Sequence, residues 1–341
     1  MKNWIENNDD KTIILSSRVR LARNIKDKPF PNRLNKDEAK EIIKSVEDAF
    51  YTSDEIKEEF RTIYLWERNN NENVSFLEKH LISSNLLNSK DKSAFICKND
   101  ETVSIMINEE DHIRMQCIYG GMAIRKAYEE INSIDDKLEE SLEFPFDEKL
   151  GYITACPTNL GTGMRASVML HLPALASNNQ IPGIINALTQ VGMTIRGLYG
   201  EGSKGYGDIY QISNQITLGV SEEDIINNIE AITSQLVNQE LELREKMTDQ
   251  YKTELEDKIC RSLGILKTAR ILSTQEALNL LSNVRMGKEM GIIEDDGGIE
   301  MNKILVNVQP ATLQLSYGKE LSPKERDIER ARLVRKSLGQ M

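Results

Sequence analysis

Apolar positions along this chain fall into two regimes. Up to about residue 220, short apolar or alternating runs at Thr12–Leu15, Thr62–Trp66, Val103–Ile107, Gly151–Ala155, Met193–Gly197 and Tyr210–Leu218 are separated by longer helical stretches. Runs of this length predict strands, and their number predicts one large sheet in an α+β domain. Asp37–Phe50 sets Ile42, Ile43, Val46 and Phe50 on one stripe, and Asp111–Glu130 reads as a second amphipathic helix; both are expected to cover the sheet. Ser221-Glu-Glu-Asp224 has the form of a capping box, and Ile225, Ile229, Ile232, Leu236 and Val237 follow it at helical spacing.

Beyond about residue 240 the strand signal nearly vanishes. Glu240–Leu263, Ser273–Met290 and Pro323–Leu338 read as helices, so the expected division is a sheet domain over 1–240 and an all-α domain over 241–341. The last helix is well marked: Ser322 caps, Pro323 takes the first helical position and Glu325 completes a capping box. The glycines at 287, 291, 297 and 298 predict a loop between helices.

Composition narrows the function classes. A net charge of −11 over 341 residues opposes general attraction to nucleic acid or anionic lipid, so any anion site must be local. Cys97, Cys117, Cys156 and Cys260 show no CxxC pairing, and Met1–Lys11 lacks the apolar stretch of a signal peptide. The expectation is a reduced, cytoplasmic protein. No apolar run approaches the ~20 residues needed to cross a bilayer.

Candidate chemistry centres on Ala155-Cys-Pro-Thr-Asn-Leu-Gly-Thr-Gly-Met-Arg165. Its proline and glycines suit a tight turn, and Arg165 opens a helix-compatible stretch to His171. Arg18, Arg20, Arg114, Arg165 and Arg196 all sit beside breaks or strand ends. Arg18 and Arg20 alternate with Val19 and Leu21, so on a strand both project from one face. Planar guanidinium forks converging in this way suit an oligophosphate, although each arginine alone reads equally well as a charged sheet edge.

Carboxylates supply the second element. Asn108-Glu-Glu-Asp-His-Ile-Arg114 ends a strand-like run with three consecutive acids, and Glu201 lies in a loop holding five glycines between 197 and 207. That loop is expected to be mobile and to close over a substrate. It lacks the P-loop pattern, and the neighbouring Glu109, Glu110, Asp111 and His112 diverge too much to chelate a metal. Arginines beside carboxylates fit one chemistry, transfer of the γ-phosphoryl of ATP to a guanidinium. Such an acceptor is cationic and needs carboxylates to orient it and take its proton.

Three strings, Ser16-Ser-Arg-Val-Arg20, Asn108–Arg114 and Cys156–Arg165, resemble in sequence and order the catalytic domain of the phosphagen (guanidino) kinases. The resemblance implies a glutamine-synthetase-like antiparallel sheet flanked by helices. It implies ATP held along Ser16, Ser17, Arg18, Val19 and Arg20, at His80 and Arg114, along Arg165, Ala166, Ser167, Val168 and Met169, and along Arg196, Gly197, Leu198, Tyr199, Gly200 and Glu201. Glu110 and Glu201 are implied to flank the acceptor, with Glu110 as base and Cys156 beside it. Mg²⁺ is implied to be held mostly by phosphates and water, without protein ligands.

Only about a dozen residues precede Ser16, and a helical domain follows residue 240. The expected cleft is open, which suits a bulky acceptor, and the whole chain is similar to the bacterial branch of that family that phosphorylates arginine side chains of proteins. In that branch Arg326-Asp-Ile-Glu-Arg-Ala331 is associated with a phosphoarginine pocket, implying roles for Arg326, Asp327, Arg330 and Ala331. The four-residue spacing places Arg326 and Arg330 on one helix face, equally compatible with an exposed helix carrying ion pairs. The resemblance also implies a homodimer or higher oligomer, an activator protein and a Clp-type chaperone–protease that degrades marked proteins. Two alternatives stay open at this point: a kinase for free arginine, and a phosphoarginine-binding adaptor with an inactive kinase site.

Overall fold

The computed structural model of the chain describes residues 2–6, 12–198, 205–294 and 298–339. Its strands are β1 (Ile14–Arg23), β2 (Phe60–Tyr64), β3 (Ala94–Lys98), β4 (Val103–Ile107), β5 (Ile113–Gly120), β6 (Phe146–Asp147), β7 (Gly151–Tyr152), β8 (Met164–His171), β9 (Met193–Gly197) and β10 (Ile209–Asn214). Its α-helices are α1 (Lys36–Phe50), α2 (Asp54–Glu59), α3 (Asn70–Glu78), α4 (Ser84–Asn88), α5 (Ile124–Glu139), α6 (Pro173–Ser177), α7 (Ile181–Gln190), α8 (Glu222–Thr268), α9 (Thr274–Glu289), α10 (Met301–Asn307), α11 (Pro310–Tyr317) and α12 (Pro323–Ser337). Eight strands form one antiparallel sheet in the order β2-β3-β4-β5-β1-β8-β10-β9, and β6 pairs with β7 as a separate hairpin.

The pleat gives this sheet two different faces. Val19, Leu21, Met115, Cys117, Ala166, Val168 and Ile212 point one way, into a core shared with Ile42, Val46 and Phe50 of α1, Ala127 and Ile131 of α5, and Ile225 and Ile229 of α8. The predicted stripe on α1 is that buried face. At roughly 25 cal/mol per Å² of apolar surface removed from water, this layer is the main source of stability for the central strands. The other face carries polar and charged side chains at its centre.

Two stretches differ from the sequence expectation. Arg165–His171 is a strand, β8, paired on both sides, and Asp111–Glu130 is β5 followed by the start of α5, with the break at Gly120-Gly121. Both strands alternate only in part: polar Arg114 and Gln116 in β5, and Arg165 and Ser167 in β8, give way to the buried pairs Ile118-Tyr119 and Met169-Leu170. An alternation this short did not by itself separate these strands from amphipathic helices.

The capping boxes at Ser221 and Ser322 form as the sequence predicts, starting α8 and α12. Helix α8 is 47 residues long, with non-helical angles at Tyr251 (φ −139°, ψ 39°). Residue 240 therefore lies inside a continuous helix. The Glu240 carboxylate accepts from Ala174 N and Leu175 N at 2.9 Å each and from Arg244 Nε at 2.7 Å. Arg244 reaches Glu289 of α9 at 2.6 Å. His171 Nε2 lies 2.9 Å from Ser282 Oγ, whose hydroxyl donates to Asp208 at 2.8 Å. A buried polar chain thus ties the sheet to α8 and α9.

A second core joins the helical region to one end of the polar sheet face, where Leu15, Ile118, Met169 and Ile209 pack against Leu278, Leu281, Ile304, Leu305 and Val334. Trp4 is fully buried in it, and its carbonyl accepts from Asn302 Nδ2 at 2.9 Å. Trp4→Ala is expected to cost about 3–5 kcal/mol, the range for deleting a large buried aromatic. Urea denaturation of the full chain should show that loss as a lower midpoint at nearly unchanged slope.

Candidate active site

Directly opposed residues in an antiparallel pair share a face, so register decides which side chains meet. Arg18 of β1 lies opposite Ser167 of β8, and Arg20 lies opposite Arg165 on one side and Gln116 on the other. Arg114 faces Ala22, two residues on, and Arg196 of β9 faces Gln211 of β10. All five arginines expected from the sequence therefore project from the polar face.

The cluster is electrostatically unbalanced. Burial, then the charges of Arg114 and Arg165, bring the Arg18 guanidinium down to about 10. Arg20 is held well below its usual value by burial and then by Arg18, Arg114 and Arg165. Burial, Arg196 and Arg114 lower Arg165 as well. Arg20 Nε and Arg165 Nε are buried and have no hydrogen-bond partner among the described residues. Several forks that repel one another and keep donors unspent form a receptor for a multiply charged anion.

Polar neighbours position these forks. Arg18 Nη2 donates to Gln211 Oε1 at 2.6 Å. Arg114 Nη1 donates to both oxygens of Glu109 at 2.8 Å, and Ser83 Oγ and Glu110 N donate to the same carboxylate at 2.5 and 2.9 Å. Burial pushes Glu109 up, but Arg114 and these donors outweigh it and hold the carboxylate below its usual range. Glu109, Gln116, Gln211 and Ser83 were not singled out individually from the sequence. The alternation of Gln116 with Arg114 was the available signal.

A cavity of about 460 Å³ opens on this face, lined by Arg18, Arg20, His80, Arg114, Gln116 and Leu198 together with Glu78 and Gln309. His80 has a left-handed backbone (φ 65°), and its ring lies 5.4 Å from that of Trp4. Glu78 accepts from Ala311 N and Thr312 N at 2.8 and 2.7 Å, so the start of α11 forms part of the wall. The helical region thus contributes to the cavity directly, which spacing along the chain did not reveal.

Other sequence assignments need correction. Val19, Ala166 and Val168 point into the apolar core on the far face, as the two-residue period of a strand requires. Ser17 Oγ donates to Gly121 O at 2.8 Å and accepts from Ala123 N at 3.0 Å, fixing the entry to α5. Ser16 is buried, and Met169 belongs to the second core. Ser167 stays beside the cluster, 3.5 Å from Arg18 Nε. Gly197 ends β9 next to Leu198; Tyr199, Gly200 and Glu201 lie outside the described residues.

Asp111 joins the turn that carries Glu110 to the loop that carries Cys156. Its Oδ1 accepts from Ala155 N at 2.6 Å and from Asn24 Nδ2 at 2.7 Å, joining the β4–β5 turn to the loop before β8. Cys156 is partly exposed, its Sγ lies 3.0 Å from Thr158 Oγ1, and its loop lies within electrostatic range of Arg165. His112 is structural: its Nδ1 accepts from Ile25 N at 3.1 Å and its Nε2 lies 2.8 Å from Pro29 O.

On α12, Arg330 is almost fully buried and is not part of an open pair with Arg326. Its Nε donates to Val308 O at 2.7 Å, and its Nη1 donates to Leu272 O at 2.8 Å and to Asp327 at 2.6 Å. Helix ends leave orphan carbonyls, and Arg330 satisfies that of Val308 at the end of α10 as well as the carbonyl of Leu272 in the connection before α9. Ala331 is buried beside it, whereas Arg326 and Asp327 are partly exposed.

The family of the ATP:guanido phosphotransferase C-terminal catalytic domain matches residues 41–243, more than half of the chain. This chain belongs to the ATP:guanido phosphotransferases. Residues 252–341 match a second family, described as the protein-arginine kinase McsB C-terminal domain. The chain is 58% identical over 341 residues to a protein-arginine kinase of Clostridium kluyveri, covering 99% of each. It is 56% identical over 339 residues to one of Clostridium acetobutylicum, covering 99% of this chain and all of that one. Among solved structures, lombricine kinase superposes with a TM-score of 0.59 at 26% identity, over 71% of this chain and 70% of that one. A duplicated taurocyamine kinase of Schistosoma mansoni gives 0.63 at 24% identity, over 79% of this chain and 40% of that one, a likeness of fold. No helix among the described residues is long and apolar enough to cross a membrane.

One pH dependence follows from the cavity wall. Burial and then the charge of Arg18 lower His80 to about 3, whereas an unfolded histidine titrates near 6.5. Below pH ~6.5 the unfolded chain gains a proton that the folded chain does not, so this share of stability is present above that pH and is lost as pH falls towards 3. Replacing His80 by Gln should flatten the fall of unfolding free energy across that window by up to one proton, measured by chemical denaturation at several pH values.

Proposed function

We propose that this chain is a protein-arginine kinase: it moves the γ-phosphoryl of ATP to the guanidinium of arginine side chains in proteins. The observation that carries the reading is the half-buried arginine cluster with unspent donors, next to a loop pair that presents Glu110 and Cys156. Similarity over essentially the full length to protein-arginine kinases supports a protein acceptor over free arginine.

On this reading Arg18, Arg20, Arg114, Arg165 and Arg196 bind the phosphate oxygens, with His80 at the wall of the nucleotide cavity. Glu110 and Glu201 flank the acceptor guanidinium, with Cys156 beside it. As the acceptor nitrogen forms its bond to phosphorus, the bond from the γ-phosphorus to the bridging oxygen breaks and ADP departs. The Glu110 carboxylate takes the proton released by the nitrogen. The arginines stabilise charge on the migrating group, and since phosphoryl transfer rests mostly on positioning and electrostatics, little else is needed. Mg²⁺ brought in with the nucleotide would supply further neutralisation of the phosphate charge.

The expected division is 1–240 for catalysis and 241–341 for assembly and phosphoarginine binding. Arg326 and Asp327 form the accessible part of that second pocket, and Arg330 and Ala331 form its buried base. The enzyme works in the cytoplasm as a homodimer or higher oligomer, with an activator protein. It takes part in the stress response and protein quality control by marking proteins for a Clp-type chaperone–protease.

Incubation of a mixed protein extract with the enzyme and ATP-Mg²⁺, followed by mass spectrometry without acid, should find phosphate on arginine. Glu110→Gln should lower the rate of transfer by about 10²–10⁴-fold, the usual contribution of a positioned base. Labelling confined to other residue types, or a Glu110→Gln enzyme working at full rate, would refute the assignment.

A further inference from the structure

The loops that carry Cys156 also carry an apolar collar. Among the described residues, Phe146 and Val191 are 63% exposed, Ile216 50%, Leu218 44% and Leu150 42%. Hydrogen bonds weld their segments into one surface around the Cys156 loop. Ile153 N donates to Pro145 O and Tyr152 N to Gly161 O, joining the β6–β7 hairpin to that loop. Thr162 N donates to Thr217 O, Thr217 Oγ1 donates to Thr158 O and Leu160 O at 3.0 and 2.7 Å, and Gln215 N donates to Gly192 O. A Cβ on Gly161 would sit 2.2 Å from Thr217 O, so the two loops are in direct backbone contact.

We infer that this collar is the docking surface for the polypeptide on either side of the acceptor arginine, and that it favours extended segments with a large apolar side chain near that arginine. The inference rests on the protein-arginine kinase reading. Scattered single apolar residues on a surface need no explanation, but five on three welded loops around one functional segment form a patch. An arginine entering beside Cys156 must leave its own backbone over these loops. In an extended chain, neighbours two residues away lie about 7 Å to either side, within reach of Phe146, Leu150 and Leu218. The hairpin tip adds exposed Asp147 and Glu148 against one exposed Lys149, a net negative tip that complements a cationic segment. A second copy seated permanently here would close the approach to Cys156, so the occupant is a transient substrate segment.

The test uses the full-length enzyme and a carrier protein with a flexible tail holding one arginine, in two versions. One tail flanks the arginine with glycine and serine, the other places leucine and phenylalanine two residues away. Initial ADP release should give about tenfold higher kcat/KM for the apolar tail, carried by KM; this is the ratio expected from removing on the order of 55 Å² of apolar surface from water. A Phe146→Ser, Leu218→Ser double variant should erase that preference and leave the glycine tail and the KM for ATP unchanged. Equal rates on both tails, or a variant that loses activity on both alike, would overturn the inference. A variant that instead changes oligomeric state would assign the collar to a second copy and overturn it too. Failure of the unaltered enzyme to label either tail would remove the kinase reading itself, and this inference with it.

Discussion

Mutual repulsion among the sheet-face arginines is the constraint on which the rest of the structure depends. Arg18, Arg20, Arg114 and Arg165 lie on three neighbouring strands, close enough to depress one another's proton affinity, and Glu109, paired with Arg114 and acting weakly on Arg20, offsets only part of this. Bringing like charges together out of water is unfavourable until an anion joins them. The cluster therefore has to be held by something stiffer than its own contacts. Strands β1, β5 and β8, hydrogen-bonded on both sides and packed through Val19, Met115 and Val168 onto α1, α5 and α8, supply that stiffness.

Because the far face bears the packing, the near face is left for chemistry, and its walls come from elsewhere in the chain. The segment around His80 closes one side and Gln309 another, with Glu78 bonded to the start of α11. Glu78, Gln116 and Gln309 are held by hydrogen bonds to backbone groups, and Ser83 and Gln211 by bonds to the side chains of Glu109 and Arg18. The cavity keeps its shape while its floor remains electrostatically strained. The region around Cys156, where the proposed function puts the acceptor, is built differently, from loops joined by Asp111 and Thr217 and not from sheet.

Much of this was readable from sequence where the signal was local. The α1 stripe, the capping boxes at Ser221 and Ser322, and the two-residue alternation of Arg18 and Arg20 each follow from short-range geometry, and each appears as expected. Signals failed where the alternation is cut short by residues buried on both faces, as in the second halves of β5 and β8. They also failed where a side chain's partner is remote: Arg330 resembled a phosphate fork by spacing, yet carbonyls at Val308 and Leu272 occupy it. A motif string likewise includes residues of both faces, so Val19, Ala166 and Val168 travel with the arginines in sequence and point away from them in space.

The long helix α8 can also be viewed as a mechanical element. Its first half is clamped in the sheet core through Ile225, Ile229 and Leu236, and its second half is packed among the C-terminal helices through Leu255, Ile259 and Leu266. At 1.5 Å per residue the two arms of this rod, before and after Tyr251, run roughly 43 and 26 Å, stiffer than a loop connection between the two regions. A torque arising where the helical region meets another molecule would reach the back of the arginine sheet along this rod. It would be relieved first at Tyr251, the one place where the rod's helical geometry is already broken among the described residues.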